Sequence, residues 1–195
     1  MKPKTFIFFG RSGCGKGTQA QLLIKYLEEL HAGDRVVYIE TGAKLREFIK
    51  EVGLTQELTA KSMAAGGLLP SFLPIWIWTN TFIRNLSGKE HLVLDGLARR
   101  AHEAPILHDA LKFYNRPSPT VIVLNVSKDW SRQRLLARSR YDDKTKDVDT
   151  RLAWYEENVM PTIDFFRQNN YYKVVEINGE QNIEKVHADI VAAVS

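Results

Sequence analysis

The amino-acid sequence predicts an α/β fold, a three-layer α/β/α arrangement built on a five-stranded parallel sheet. Nearly continuous apolar runs, as expected for strands buried on both faces, alternate along the chain with longer stretches of helical spacing. Strands that alternate with helices form parallel, doubly wound sheets through right-handed crossovers. The five predicted strands cover residues 5–9, 35–40, 91–95, 120–126 and 173–177.

The composition is typical of a single-domain globular protein, and its mild positive charge suits an anionic substrate. The 195 residues suffice for one domain, residues 1–195, and the net charge of +4 comes from scattered basic residues. We therefore expect a small anionic ligand and no nucleic acid. One cysteine, no apolar segment of signal-peptide length and no bilayer-spanning stretch predict a cytoplasmic protein without a membrane partner. We expect a monomer.

A glycine-rich segment, GRSGCGKGTQ at residues 10–19, joins the first predicted strand to the first predicted helix. Its glycines can adopt positive φ and turn backbone N–H groups toward an anion, at the positive end of the helix dipole. Lys16 can bridge the outer phosphates of a nucleotide. A loose glycine turn is the alternative, but the strand–loop–helix context favours a phosphate-binding loop (P-loop). The predicted ATP-binding residues here are Gly10, Gly13, Cys14, Gly15, Lys16, Gly17 and Thr18.

The segment 41–88 is longer than a simple crossover requires and predicts a helical excursion from the sheet. Thr41-Gly42 directly follows a strand, where Thr41 can cap a helix and expose its hydroxyl at the strand end. Arg46 lies about one and a half turns into that helix. After a turn at residues 66–70, an apolar helix carries four aromatic residues that we interpret as core packing rather than a base-stacking platform. They are Phe72, Trp76, Trp78 and Phe82.

The third predicted strand ends in an aspartate, Asp95. Ligands of doubly wound sheets bind at the carboxyl ends of the strands. A carboxylate there can hold Mg²⁺ beside the phosphate loop, directly or through water. An aspartate at a strand end is also a common turn or cap residue, but the glycine loop favours the metal interpretation.

A dense basic series follows the fourth predicted strand. Arg134 and Arg138 are four residues apart and share one helix face. Phosphoryl transfer builds negative charge on the migrating group, and fixed guanidinium groups offset that charge. We interpret Arg132 as a solvated surface residue and the other arginines as candidates for this role. The series comprises Arg132, Arg134, Arg138, Arg140 and Arg151.

Taken in order, these motifs resemble those of the adenylate kinases, the central family of nucleoside monophosphate kinases. The resemblance covers nearly the whole chain. The similar segments are GKGTQ (15–19), the TG…R pattern (41–46), DGLAR (95–99, against the family's DGFPR), R-x-x-x-R (134–138), R-x-D-D (140–143) and Arg151.

This resemblance implies transfer of the γ-phosphoryl group of Mg·ATP to a nucleoside monophosphate, with AMP favoured. The residues implied to surround the migrating group are Lys16, Arg138, Arg140 and Arg151. Arg134 would stack on the donor adenine, and Asp95 would orient Mg²⁺ through its water shell. The monophosphate-binding residues would be Thr41, Gly42, Arg46, Leu69, Arg99 and Glu103. No general base is needed, because the acceptor is already an anion, so catalysis would depend on positioning and charge neutralisation.

The chain departs from the family pattern in its lid. One residue separates Arg138 from Arg140, so the lid, residues 138–147, is vestigial. Water would then be excluded less well, with slow ATP hydrolysis as a result, or another segment would exclude it. The absence of metal-ligand cysteines excludes the zinc-bearing long-lid variant. Leu97-Ala98 replaces Phe-Pro, which we expect to change only packing and turn stiffness.

Glu103 is the sharpest departure, because adenylate kinases place there the glutamine that reads the acceptor adenine. A glutamine both donates and accepts hydrogen bonds, whereas an ionised carboxylate only accepts. Guanine offers two donors on that edge, so a glutamate facing the base would suit GMP. Alternatively, Glu103 pairs with Arg100 or His102 and leaves base recognition to backbone groups; the rest of the pattern favours AMP.

Three other functions share parts of this pattern. A nucleotide-binding module without turnover would not need the arginine series. A GTPase-like switch would require Asp-x-x-Gly and Asn-Lys-x-Asp motifs, and the chain has DGLA at residues 95–98 and no Asn-Lys-x-Asp. A kinase for another small acceptor shares the glycine loop and is the main alternative among enzymes.

Overall fold

The computed structural model describes residues 3–30, 33–138 and 145–195, and within them it contains a five-stranded sheet. The strand order is β2-β3-β1-β4-β5, and all four pairings are parallel. The strands are β1 (Thr5–Gly10), β2 (Val36–Glu40), β3 (His91–Asp95), β4 (Thr120–Asn125) and β5 (Lys173–Asn178). Each of the predicted strands is therefore confirmed to within one residue at both ends.

Helices follow or precede each strand and cover both faces of the sheet. The described α-helices are α1 (Lys16–Leu30), α2 (Thr41–Phe48), α3 (Leu54–Ala64), α4 (Phe72–Asn85), α5 (Ala104–Phe113), α6 (Lys128–Arg138), α7 (Thr145–Trp154), α8 (Met160–Arg167) and α9 (Ile183–Val194). A 3₁₀ turn at Ala101–Glu103 precedes α5, and a π-helical turn at Tyr155–Val159 joins α7 to α8. None of the described helices is long and apolar enough to cross a membrane.

Strand β1 divides the hydrophobic core into two layers. Phe6 and Phe8 pack with α1 and α9 on one face of the sheet, whereas Ile7 and Phe9 pack with α4, α5 and α8 on the other. Side chains of a strand alternate between faces, so a run without polar residues buries both faces at once. This is the three-layer α/β/α fold that the sequence predicts.

The excursion between β2 and β3 consists of α2, α3 and α4, and it has a small apolar cluster of its own. The core-packing interpretation of the α4 aromatic residues is confirmed for Trp78 and Phe82, which are fully buried. It is wrong for Phe72 and Trp76, which are 66% and 49% exposed. Helix α4 is amphipathic, and these two side chains lie four residues apart on its outer face.

The strand order brings the carboxyl ends of β1, β2 and β3 to one edge of the sheet. In the sheet register, Asp95 is paired with Phe8 on one side and with Glu40 on the other. The glycine loop, the start of α2 and the loop after β3 therefore meet at that edge.

Candidate active site

A cavity of about 680 Å³ opens at this edge of the sheet. The glycine loop, the end of β2, helix α2, the turn between α3 and α4, and the loop after β3 all contribute to its wall. The predicted site residues that line it are Gly13, Gly15, Lys16, Gly17, Thr18, Thr41, Gly42, Arg46, Leu69, Asp95, Arg99, Glu103 and Arg134. Gly10 lines a smaller neighbouring cavity, and Cys14 is buried behind the loop.

The glycine loop has the backbone conformation that the sequence predicts, with positive φ at residues 10, 13 and 15. At Gly13, with φ of +83°, a Cβ would also lie 3.0 Å from the backbone oxygen of Ser131. At Gly10 a Cβ would lie 2.7 Å from the backbone oxygen of Leu124. A larger residue at either position would therefore push the loop away from the sheet and from α6.

Lys16 is the first residue of α1, and its ammonium group turns back over the glycine loop. Its Nζ atom donates hydrogen bonds to the backbone oxygens of Gly10 (2.8 Å) and Arg11 (3.0 Å). These acceptors are neutral carbonyl groups, so the ammonium charge has no counter-charge from them. Phosphate oxygens are stronger acceptors for an ammonium group than carbonyls are, so this lysine is well prepared to bind an anion.

Asp95 lies at the end of β3 with only 5% of its surface exposed. Burial raises the pKa of its carboxyl group, and the positive charges of Lys16 and Arg99 act in the opposite direction. The Oδ2 atom lies 3.8 Å from the position that a Cβ of Gly17 would occupy. The carboxyl group therefore faces the start of α1, beside the phosphate loop.

Arg46 is held against the cavity wall by Glu40, the last residue of β2. The guanidinium Nη2 atom lies 2.7 Å from the Glu40 Oε1 atom, and both side chains are partly buried. A Cβ at Gly42 would lie 3.1 Å from Arg46 Nη1, so the glycine leaves room for this arrangement. With the TG…R spacing, the side chain of Arg46 thus reaches back to Glu40, at the strand end where helix α2 starts.

Thr41 does not cap α2, contrary to the prediction. It is the first residue of the helix, and the residue in the capping position is Glu40, whose side chain makes no capping hydrogen bond. The Thr41 side chain is 2% exposed, and its Oγ1 atom is buried without a hydrogen-bond partner. The chain passes directly from strand into helix at Thr41, so this residue belongs to the helix instead of preceding it, and it lines the cavity.

Arg99 is fixed against the loop that follows β3. Its Nε atom donates to the backbone oxygen of Gly96 at 3.1 Å, and its guanidinium carbon lies 5.9 Å from the centre of the Trp154 ring. Gly96 has φ of +72°, and a Cβ there would lie 2.6 Å from Arg99 Nη2. The glycine after Asp95 therefore allows the arginine to fold back toward the strand end.

Glu103 is buried, with 3% exposure, and forms part of the cavity wall. Its Oε2 atom accepts a hydrogen bond from the backbone N–H of Arg100 at 3.3 Å. The alternative in which Glu103 pairs with Arg100 is thus met through the backbone N–H, whereas the side chains of Arg100 and His102 bond elsewhere. Arg100 Nη2 donates to the backbone oxygen of Leu68 at 3.3 Å, and His102 Nε2 lies 2.7 Å from Ser71 Oγ.

The arginine series is described only in part. Arg134 lines the cavity with its guanidinium carbon 4.7 Å from the centre of the Trp130 ring. Arg132 is exposed and lies 3.4 Å from Asp149, so its interpretation as a surface residue is confirmed. Arg140 and the rest of residues 139–144 lie outside the described residues, as do the side chains of Arg138 and Arg151. The roles of these three arginines and of the vestigial lid stay predictions.

Comparison with known proteins gives a consistent result. The family model described as adenylate kinase matches residues 8–171. An adenylate kinase of Prochlorococcus marinus is 31% identical to this chain, covering 92% of it and 93% of the relative. Adenylate kinase 1 of a Nostoc species is 30% identical, covering 95% and 96%. The chain belongs to the adenylate kinase family. It is therefore a nucleoside monophosphate kinase, which transfers phosphoryl groups between nucleotides, and the predicted resemblance is confirmed.

The residues that line the cavity in this adenylate kinase family member but were not predicted include Tyr38, Glu40 and Trp154. The Tyr38 hydroxyl donates to Glu40 Oε2 at 3.4 Å. Burial, with the charges of Asp95 and Glu40, raises the pKa of that phenol well above its usual value, so the hydroxyl keeps its proton. The position of Glu40 at a strand end is the same signal that predicted Asp95. No local sequence pattern indicates that Trp154 lines the cavity.

Proposed function

We propose that the protein catalyses reversible transfer of the ATP γ-phosphoryl group to AMP, ATP + AMP = 2 ADP. The observation that carries this proposal is that the phosphate loop and two acceptor arginines, Arg46 and Arg99, line one cavity. A donor phosphate held by the loop would then lie close to an acceptor phosphate held by the arginines. Positioning two anions side by side is most of what phosphoryl transfer requires from the protein.

On the donor side, the loop N–H groups and the N-terminus of α1 would hold the phosphates of ATP. Lys16 would exchange its hydrogen bonds to the carbonyls of Gly10 and Arg11 for bonds to the outer phosphates. Arg134 lines the cavity and would stack on the adenine, as its guanidinium group already does on the Trp130 ring.

On the acceptor side, Arg46 and Arg99 would hold the phosphate of the monophosphate. Each is already restrained, Arg46 by Glu40 and Arg99 by the backbone oxygen of Gly96. Restraint before binding reduces the entropy lost when the acceptor is held. The Thr41 hydroxyl, which is buried without a partner, would donate a hydrogen bond to a polar group of the monophosphate. Helices α2 to α4, residues 41–88, are in this proposal the monophosphate-binding excursion.

Magnesium fits the residues present, because the buried carboxyl group of Asp95 faces the start of α1 and hard cations prefer oxygen ligands. Substrate phosphates and water would supply most of the other ligands of the ion. Asp95 would hold Mg²⁺, which would neutralise phosphate charge. Arg138, Arg140 and Arg151 would add positive charge around the migrating group, and no side chain is required as a base.

GMP is the second candidate acceptor, and the observation that favours it is the burial of Glu103 in the cavity wall. Its Oε2 atom accepts from a backbone N–H, which orients the carboxylate, and its other oxygen remains for contact with a base. A carboxylate there would accept from the donors of guanine, whereas adenine would leave part of that edge unpaired.

The test is a set of phosphorylation rates for AMP, GMP, CMP and UMP with Mg·ATP, measured side by side by ADP formation. We expect the highest kcat/KM for AMP. Rates that equal the no-acceptor control for all four monophosphates would refute the proposal.

Glu103→Gln distinguishes the two acceptors. If the carboxylate faces the base, this change shifts the AMP to GMP ratio of kcat/KM toward AMP by about tenfold to a hundredfold. Glu57→Gln on the exposed face of α3 is the control, and it should leave the ratio unchanged. An unchanged ratio for Glu103→Gln would place Glu103 outside base recognition.

A further inference from the structure

Trp154, the last residue of α7, contacts two parts of the acceptor side of the cavity. Its indole Nε1 atom donates to the backbone oxygen of Gly66 at 3.1 Å. Gly66 is the first residue of the acceptor turn, residues 66–71, which joins α3 to α4. The ring of Trp154 also lies 5.9 Å from the guanidinium carbon of Arg99. One side chain therefore touches both the acceptor turn and an arginine proposed to hold the acceptor phosphate.

The backbone next to Trp154 is fixed to the donor side of the site. The π-helical turn that follows it starts with Tyr155, whose ring centre lies 4.5 Å from the guanidinium carbon of Arg11 in the glycine loop. Arg11 also pairs with Glu156 at 2.5 Å, and Asn158 Nδ2 donates to the Trp154 carbonyl at 3.1 Å. π-Helical turns are frequent at functional sites, because they redirect the chain locally. The contacts of Arg11 thus fix the backbone beside Trp154 to the glycine loop, while the indole of Trp154 bonds to the acceptor turn.

Two other side-chain hydrogen bonds join the acceptor turn to a distant part of the described chain, those of Arg100 to the Leu68 carbonyl and of His102 with the Ser71 hydroxyl. Both come from the loop after β3, on the same side as the acceptor arginine. The contact of Trp154 comes instead from the C-terminal part of the chain. Trp154 also lines the small cavity between the glycine loop and Arg99, so it lies between the donor and acceptor groups.

We propose that Trp154 is a positioning residue that closes the acceptor side of the site, an inference that rests on the proposed function. Its N–H holds the acceptor turn against the core, and its ring holds Arg99 through a cation–π contact. Its bulk excludes water from the space between donor and acceptor, where water would otherwise compete for the phosphoryl group. Trp154 thereby does part of the work that a long lid does by folding over the phosphates.

Trp154→Ala and Trp154→Phe separate the ring from the indole N–H, and Trp76→Phe on the exposed face of α4 is the matched control. We expect Trp154→Ala to raise the acceptor KM about tenfold or more. It should also raise the ratio of ATP hydrolysis without acceptor to phosphoryl transfer, while the ATP KM stays within about twofold. Trp154→Phe keeps the ring and should cause a smaller change of the same kind.

The contact with Arg99 can be tested by a double-mutant cycle. If the ring orients the guanidinium group, the effects of Trp154→Ala and Arg99→Ala on the acceptor KM will be smaller together than their separate effects predict. Full additivity would overturn the cation–π part of the proposal. Thermal unfolding of each variant shows whether it is folded. If Trp154→Ala does not fold, the acceptor KM and the hydrolysis ratio of Trp154→Phe are compared with those of Trp76→Phe, and this comparison tests the proposal.

The failure of this inference and of the proposed function can be told apart. A parent protein that transfers no phosphoryl group to any monophosphate refutes the proposed function and the inference with it. An active parent, with an acceptor KM and hydrolysis ratio unchanged in the Trp154 variants, refutes the inference alone. A purely structural tryptophan would lower the unfolding temperature and all rates together, without separating the acceptor KM from the ATP KM, and that result also overturns it.

Discussion

The two ends of strand β3 carry buried charges that are satisfied in different ways. Glu90, just before the strand, pairs with Arg116 at 2.8 Å, and each side chain is 1% exposed. Glu90 also accepts from the N–H groups of Ser87 and Gly88, and Arg116 Nη1 donates to the Glu90 carbonyl at 2.6 Å. At the other end, burial raises the pKa of Asp95, and the nearby Lys16 ammonium bonds to carbonyls of its own loop.

We interpret the Glu90–Arg116 pair as stabilising the fold, and Asp95 and Lys16 as charges that become fully compensated when a ligand binds. In a buried ion pair each charge compensates the other, and removal of one partner is costly because the other charge is left buried and unpaired. A carboxyl group whose buried environment disfavours its charge is stabilised when a cation binds, and an ammonium group whose hydrogen-bond acceptors are uncharged is stabilised when phosphate binds. We therefore expect substitutions at one end of β3 to change stability and substitutions at the other end to change activity.

The largest effect should come from Lys16→Met. Methionine matches the stem of the lysine without its charge, so phosphoryl transfer should fall by about a thousandfold or more. The free energy of unfolding, measured in urea, should change by less than about 1 kcal/mol. Transfer within about tenfold of the parent would contradict the proposed role of the loop, and a large loss of stability would contradict the comparison.

The converse is expected for Arg116→Met at the other end of β3. This change leaves the Glu90 carboxylate buried without its partner and should lower the free energy of unfolding by about 3–5 kcal/mol. For a chain of this size the unfolding temperature should fall by about 10 °C. Transfer measured well below that temperature should stay near the parent value. Arg132→Met, at an exposed pair, is the control.

The sequence predicts the role of Asp95 at the carboxyl end of β3, but not the ion pair of Glu90 at the other end. Asp95 is predicted because a strand-end carboxylate beside a glycine loop follows a general rule for parallel sheets. The pairing of Glu90 with Arg116 joins residues 26 positions apart on no common helix or strand, so no local spacing indicates it. The contact of Trp154 with Gly66 spans 88 positions, and the same reason applies.

Local patterns also led to two wrong predictions. A threonine after a strand favours a helix cap, but here α2 begins directly at Thr41, so the hydroxyl faces inward. Aromatic residues on one helix favour burial, yet Phe72 and Trp76 are on the outer face of α4. In both cases the direction of a side chain depends on how the whole element packs, which propensity and composition do not encode.

Arg99→Ala tests the acceptor side of the functional end. Loss of a guanidinium that binds a phosphate should raise the acceptor KM by about tenfold to a hundredfold, because a charge-assisted hydrogen bond contributes about 1.5–3 kcal/mol. The ATP KM should remain within about twofold, and Arg84→Ala on the exposed surface of α4 is the control. If the ATP KM rises and the acceptor KM does not, the donor and acceptor sides have been assigned the wrong way round.

The effect of Asp95→Asn on stability should be smaller than that of Arg116→Met and of the opposite sign. Burial raises the pKa of Asp95, so the folded protein binds that proton more tightly than the unfolded chain does. The free energy of unfolding should therefore fall as pH rises from the unfolded value of about 4 through the higher folded value. Asparagine has nearly the same shape and no charge to bury. At neutral pH without nucleotide, the variant should be more stable than the parent by about 1 kcal/mol, although Mg²⁺-dependent transfer is lost.

Urea unfolding at several pH values measures this difference. A less stable variant would mean that Lys16 and Arg99 compensate the Asp95 charge as fully as Arg116 compensates Glu90, and the two ends of β3 would then not differ as proposed.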